Sequence, residues 1–197
     1  MTRHQLFVHE DIPFTSHNSC AVVHIESGCR ESADAILKQA EEVVLGDFIE
    51  GSDPGIAVAT GDQLDPALVA FGKDAKTMVL TQEKARKLAK NLSIRLKGLG
   101  GTEEGVIGAM AGLGLAATGN DGRFVQKGQI REILGPCTVR TLLAAGIDAI
   151  TTMDGRIVDS GYIMVEENKS VKPCPVNGRV ILFVEEREGR YHAVKRD

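Results

Sequence analysis

The chain has 197 residues, 43% of them hydrophobic and 25% charged, a balance that supports at least one sizeable core and excludes a disordered or low-complexity polymer. Its formal net charge is -4 and its isoelectric point about 5.8, which argues against a protein held on nucleic acid mainly by bulk electrostatics. Residues 1–8 carry no apolar leader and the longest apolar run, residues 105–118, is short and glycine-rich for a membrane span, so a cytoplasmic protein without membrane contact is expected.

Residues 5–8 and 20–25 read as strands joined by a polar loop that contains Pro13. Glu10, Asp11 and His17 share that loop as candidate acid/base groups, although loop side chains of this kind are usually just solvated. Ser32 is placed to cap an amphipathic helix in which Ala33, Ile36, Leu37, Ala40, Val43 and Val44 keep a period of 3.6 and Gly46 supplies the end. Asp53, next to Pro54, reads as a turn residue. A buried strand over 55–60, a short helix over 66–72 and a strand over 76–80 follow. Thr81 then caps a helix predicted over 82–97, with Ala85, Leu88, Ala89, Leu92 and Leu96 facing inward. Lys84, Arg86, Lys87, Lys90, Arg95 and Lys97 stand on it against the single acid Glu83. This is the only dense basic run. Lys84, Arg86, Lys87 and Lys90 are therefore the candidate RNA- or anion-binding residues, against the blander reading of a solvated face.

The basic run leads into the most unusual stretch, residues 98–121, which holds eight of the 22 glycines. Gly98, Gly100 and Gly101 make a loop able to adopt positive φ, and Thr102 is placed to cap a helix over 103–117 with Glu103 and Glu104 in its first turn. That helix is apolar all round and hence buried. Each interior glycine costs roughly 1 kcal/mol against alanine, so several together mean that another backbone, or a ligand, approaches too closely for a side chain. Close packing is the first reading. The second makes Gly98, Gly100, Gly101 and Thr102 a nucleotide- or phosphate-binding loop, against which the acidic pair counts. No Gly-Lys-Ser/Thr follows, so this is not a Walker loop.

Beyond the helix, Asn120-Asp121-Gly122 signals a turn, and residues 123–126 and 129–133 suggest a hairpin around Gly128. Thr138 caps a short helix ended by Gly146. Strands are expected over 149–152, 156–158, 162–166, 179–185 and 190–194, with Lys172-Pro173-Cys174-Pro175 as extended linker. The division expected from this pattern is a core over 1–146 and an antiparallel, β-rich subdomain over 147–197. Cys20, Cys29, Cys137 and Cys174 form no C-x-x-C pair, and the five histidines have no ligand spacing, so no metal site is expected.

Three pieces, DIPFTSHNSCAVVHIE (residues 11–26), SDPGIAVAT (52–60) and GTEEGVIGAMAGLGL (101–115), resemble in content and order the archaeal tRNA-isoleucine agmatidine synthetases, ATP-dependent enzymes that modify an anticodon cytidine. The resemblance covers about residues 5–125. It implies an α+β (mixed α/β) fold with a two-part core of kinase-like and ferredoxin-like elements, and it implies ATP and magnesium as cofactors and tRNA as a weakly held partner. The departures are specific. The family's aspartate-rich G-I-D-D-T-D-S motif and its C-terminal zinc ribbon are lacking, and I-P-W-K-T-R-G-N becomes Ile12 to Ser19 with both basic side chains lost. The expectation is a nucleotide- or tRNA-handling protein, one part of a split enzyme needing a protein partner if active. The alternative is a non-enzymatic module that binds a small anion or a partner on the same scaffold.

Overall fold

A computed structural model describes residues 1–13, 17–25, 32–166 and 169–196. Phe14, Thr15 and Ser16 of the family-like stretch, and Glu26 and Cys29, lie outside the described residues. The chain is mixed α+β, with five α-helices and three sheets among the described residues, and it forms two compact units. One is His4–Ala117; the other joins Met1–Arg3 to Thr118–Asp197. The division falls at residue 117 rather than 146, because Ile130, Val139, Leu142 and Ala145 pack into the same core as Ile150, Ile163 and Leu182.

The His4–Ala117 unit contains the end of β1 (Thr2–Gln5), with β2 (Ser19–Val22) as that strand's neighbour. Both are shifted toward the N-terminus from the expected 5–8 and 20–25. Helix α1 (Ala33–Gly46) forms as its period predicts, the Ser32 side chain accepting the Ala35 amide at 3.2 Å. Then come β3 (Gly55–Val58), α2 (Pro66–Asp74), capped by Asp65, and α3 (Gln82–Asn91), capped by Thr81. No strand forms over 76–80: the Lys76, Thr77 and Met78 amides bond back to Lys73 and Asp74 carbonyls as turns off α2, and Leu80 is buried as an anchor.

The helix expected to reach Lys97 stops at Asn91. Ser93 takes φ +56, and β4 (Arg95–Gly98) pairs antiparallel with β3, Gly55 opposite Gly98 and Val58 opposite Arg95. The cause is tertiary: β3 needs a partner, and Ile94 and Leu96 alternate with Arg95 and Lys97 well enough to serve either period. The two basic residues so released reach α1, Arg95 to Asp34 at 2.9 Å and Lys97 to Glu41 at 2.5 Å.

Helix α4 (Gly105–Ala117) runs through the centre of this unit, with Val106, Met110 and Ala111 wholly buried and Leu115 nearly so. Its glycines mark where neighbours touch it. A Cβ on Gly105 would lie 2.1 Å from the Asp53 carbonyl oxygen, and one on Gly114 2.0 Å from that of Leu68 in α2. Backbone therefore meets backbone at both ends of the helix.

In the second unit β5 (Arg123–Phe124) pairs antiparallel with β1 through Arg3 and Thr2, so the hairpin expected around Gly128 does not form. Instead the Gln129 amide bonds to the Ala145 carbonyl at 2.9 Å. After β6 (Cys137–Thr138), α5 (Val139–Ala144) is capped by Thr138. The main sheet adds β7 (Ala149–Thr152), β8 (Tyr162–Met164), β9 (Cys174–Val176), β10 (Arg179–Arg187) and β11 (Arg190–Val194), in the order β6-β8-β11-β10-β7 with β9 on β10. The pairings of β10 with β7 and of β11 with β8 are parallel, so this part is not antiparallel throughout. Residues 156–158 contribute a single bridge, Thr151 to Ile157. The Lys172 to Pro175 segment is no linker: Cys174 and Pro175 are buried strand, and two prolines are tolerated because β9 pairs with β10 alone. Among the described residues no helix is long and apolar enough to cross a membrane.

Candidate functional site

The glycine loop connects β4 to α4, and a side chain from fifty residues earlier organises it. Asp53 Oδ2 accepts three hydrogen bonds, from the Thr102 hydroxyl at 2.7 Å, the Glu104 amide at 3.0 Å and the Thr102 amide at 3.2 Å. Gly101 at φ +59 and Glu103 at φ +63 bend the loop so that these donors converge, and the Glu103 amide closes a turn onto Gly100 at 3.0 Å. Helix α4 starts at Gly105, so Glu103 and Glu104 precede it, and Thr102 serves as a donor to Asp53 rather than as the helix cap.

This fixes the electrostatics of the loop. The start of a helix carries partial positive charge and exposed amides that favour an anion, and here a carboxylate of the chain itself occupies that position. A phosphate directed at Gly98, Gly100, Gly101 and Thr102 would have to displace Asp53. Gly98 and Gly100 are closely covered, a Cβ on the first lying 2.5 Å from Glu103 Cβ and on the second 2.9 Å from the Phe48 ring. Asp53 Oδ1 is buried without a hydrogen-bond partner among the described residues. The sequence pointed to Asp53 only as a turn residue before Pro54; its part in the loop has no local signal because its partners are distant in the chain.

Helix α3 docks on the same loop. Gln82 donates to the Thr102 carbonyl at 2.6 Å, and Arg86 pairs with Glu103 at 2.5 Å. With Ala85 and Ala89 buried, Lys84, Lys87 and Lys90 are left exposed, three residues apart, with no ion pair among the described residues. The four basic residues singled out in the sequence thus divide: three face solvent, and Arg86 holds the loop.

The other candidates are spread out. Asp11, 74% exposed, lies 3.4 Å from His9 Nδ1, and His9 stacks on Phe7 with ring centroids 5.6 Å apart. Cys20, Cys137 and Cys174 form no disulfide, and burial pushes the Cys137 thiol above its usual pKa. No group of three or more His, Cys, Asp or Glu that could hold a metal ion occurs among the described residues. No family model matches the chain, and no curated protein or solved structure matches it either.

Proposed function

We propose that the chain is a cytoplasmic tRNA-handling protein related to the agmatidine synthetases, the RNA-docking part of a split enzyme rather than the seat of its phosphoryl transfer. On this reading the kinase-like and ferredoxin-like elements belong to His4–Ala117. The observation that supports it best is the lysine row of α3: Lys84, Lys87 and Lys90 are exposed and carry no ion pair among the described residues, so their charge is available to phosphates.

The loop itself is a poor fit for ATP. Its converging donors are held by Asp53 and its rim carries Glu103 and Glu104, so no step is assigned to ATP or magnesium here. That same observation favours the second reading, a non-enzymatic module that binds a partner. Retention of tRNA on filters at low salt separates the two. Wild type is expected to bind, and the joint change of Lys84, Lys87 and Lys90 to glutamine to weaken retention strongly and to flatten the salt slope by about 2 to 3 units for three lost phosphate contacts. Absence of wild-type retention at low salt discards the RNA reading in favour of the partner-binding module.

A further inference from the structure

The second unit presents a different surface, at the main sheet. Ile163, Leu182 and Val184 are in the core, and Tyr191 and Ala193 pack against it, so strand alternation puts Tyr162, Met164, Phe183, His192 and Val194 on the opposite face. Near one end of β11 a cavity of about 450 Å3 is lined by Tyr162, Met164, Arg190 and Tyr191 between the glycine turns at Gly161 and Gly189. Tyr162 is 67% exposed, an unusual state for a large aromatic side chain, and the chain's two tyrosines, on opposite faces of the sheet, both border this cavity.

At the other end of β11 positive charge accumulates. The Arg196 guanidinium lies 5.1 Å from the centroid of the Phe183 ring, on the same face as Tyr162. Cys174 Sγ contacts the carbonyls of Lys172 and Arg196 at 3.9 and 4.0 Å, and the Phe124 amide bonds to Pro173 at 2.8 Å, which draws Arg123, Lys172, Lys195 and Arg196 together. Arg3 stands directly opposite Arg123 across β1 and β5, a like-charge pairing that ordinarily destabilises a ladder. The Lys172 ammonium is pushed below its usual pKa, first by burial and then by Lys195, Arg123 and Lys169, while Glu166 is engaged by Lys169. On β10, Glu185 is held by Arg187 at 2.7 Å.

We propose that this face binds single-stranded nucleic acid, with a base stacked on Tyr162 in the cavity and the adjoining phosphates led along β11 to Lys195, Arg196 and Lys172. A base can meet the tyrosine ring only when unstacked from its neighbours, which selects a single strand over a duplex, and aromatic stacking combined with a basic track is how such strands are held without sequence readout. At about 3.3 Å per residue, β11 separates the two ends by roughly 13 Å, so one short segment reaches both. The inference rests on the nucleic-acid reading given above but uses a different surface from the α3 lysines.

With no tryptophan in the chain, intrinsic emission comes from Tyr162 and Tyr191, both at the cavity. The test is titration of the full chain with a mixed-sequence single-stranded oligoribonucleotide and its deoxyribo counterpart, following tyrosine emission together with the anisotropy of an end label. Quenching at saturation is expected, stronger with whichever backbone the site takes. Tyr162→Ala should weaken binding about 10-fold or more while Tyr162→Phe retains it. Inorganic polyphosphate binding should survive Tyr162→Ala but fall with Lys195→Gln and Arg196→Gln combined. Unquenched emission at saturation, or Tyr162→Ala binding like wild type, overturns the proposal. The α3 triple variant keeps the two readings apart. If it abolishes binding and emission never changes, this inference fails alone; if no nucleic acid binds at all, both fail.

Discussion

Asp53 converts a glycine loop that looks made for a phosphate into one that satisfies itself. Replacing it with alanine strands the amides of Thr102 and Glu104, and the expected loss is about 1 to 3 kcal/mol in denaturant unfolding. The same variant should gain thermal stability from added sulfate or phosphate where wild type does not, because the vacated donors then face solvent; equal responses would show that Asp53 does not compete for the anion position. Along α4 the glycines differ in kind. Gly114→Ala drives a Cβ into the Leu68 carbonyl and should cost about 1 to 3 kcal/mol or more, whereas the nearest atom to a Cβ at Gly108 is Leu6 Cδ1 at 3.5 Å. Gly108→Ala should therefore be neutral or gain up to about 1 kcal/mol. A pair of melting curves distinguishes the two positions. Sequence composition announced close approach somewhere on this helix, but which glycine meets backbone depends on Asp53, Leu68 and Gly72, residues that no local spacing ties to it.

Where a capping side chain and a closing glycine mark a helix, the element forms there: α1 begins after Ser32 and ends at Gly46, and α5 begins after Thr138. The reading failed where two periods overlapped. Leu88, Leu92 and Leu96 extend the helical stripe of α3, yet Ile94 and Leu96 also alternate, and pairing with β3 decides the matter. Ser93 then sits at φ +56, with the Gln63 side chain donating to its carbonyl at 2.7 Å. Ser93→Val should destabilise this reversal by about 1 to 2 kcal/mol, while Ser93→Gly should hold or raise stability, both read from urea midpoints. The Arg95 guanidinium beside Asp34 holds that carboxyl below its usual range, mainly through their hydrogen bond. A depressed carboxyl stabilises the fold above its ordinary value of about 3.8 and loses that contribution as pH falls through the lower folded value. Asp34→Asn should accordingly flatten the acid limb of the stability curve and leave the alkaline limb unchanged.

For the whole chain, the expectation is binding without chemistry: with Asp53 in place, purified protein should show no magnesium-dependent ATP turnover, and robust turnover would overturn the docking-part reading. The division at residue 117 was hidden from the sequence because Met1–Arg3 belong with Thr118–Asp197, and three residues carry no compositional mark. That arrangement places His4–Ala117 in the chain as an insertion between the paired residues Thr2 and Arg3 on one side and Arg123 and Phe124 on the other. It sets an order on synthesis. As the chain leaves the ribosome, the inserted unit is complete when α4 emerges, whereas Thr2 and Arg3, beside β2 from early on, gain their second neighbour strand only when Arg123 and Phe124 appear. Strand β1 is thus paired on one edge well before it is paired on both, and ribosome-bound chains halted between these points should protect the inserted unit from protease while the edge of β1 that takes β5 stays open.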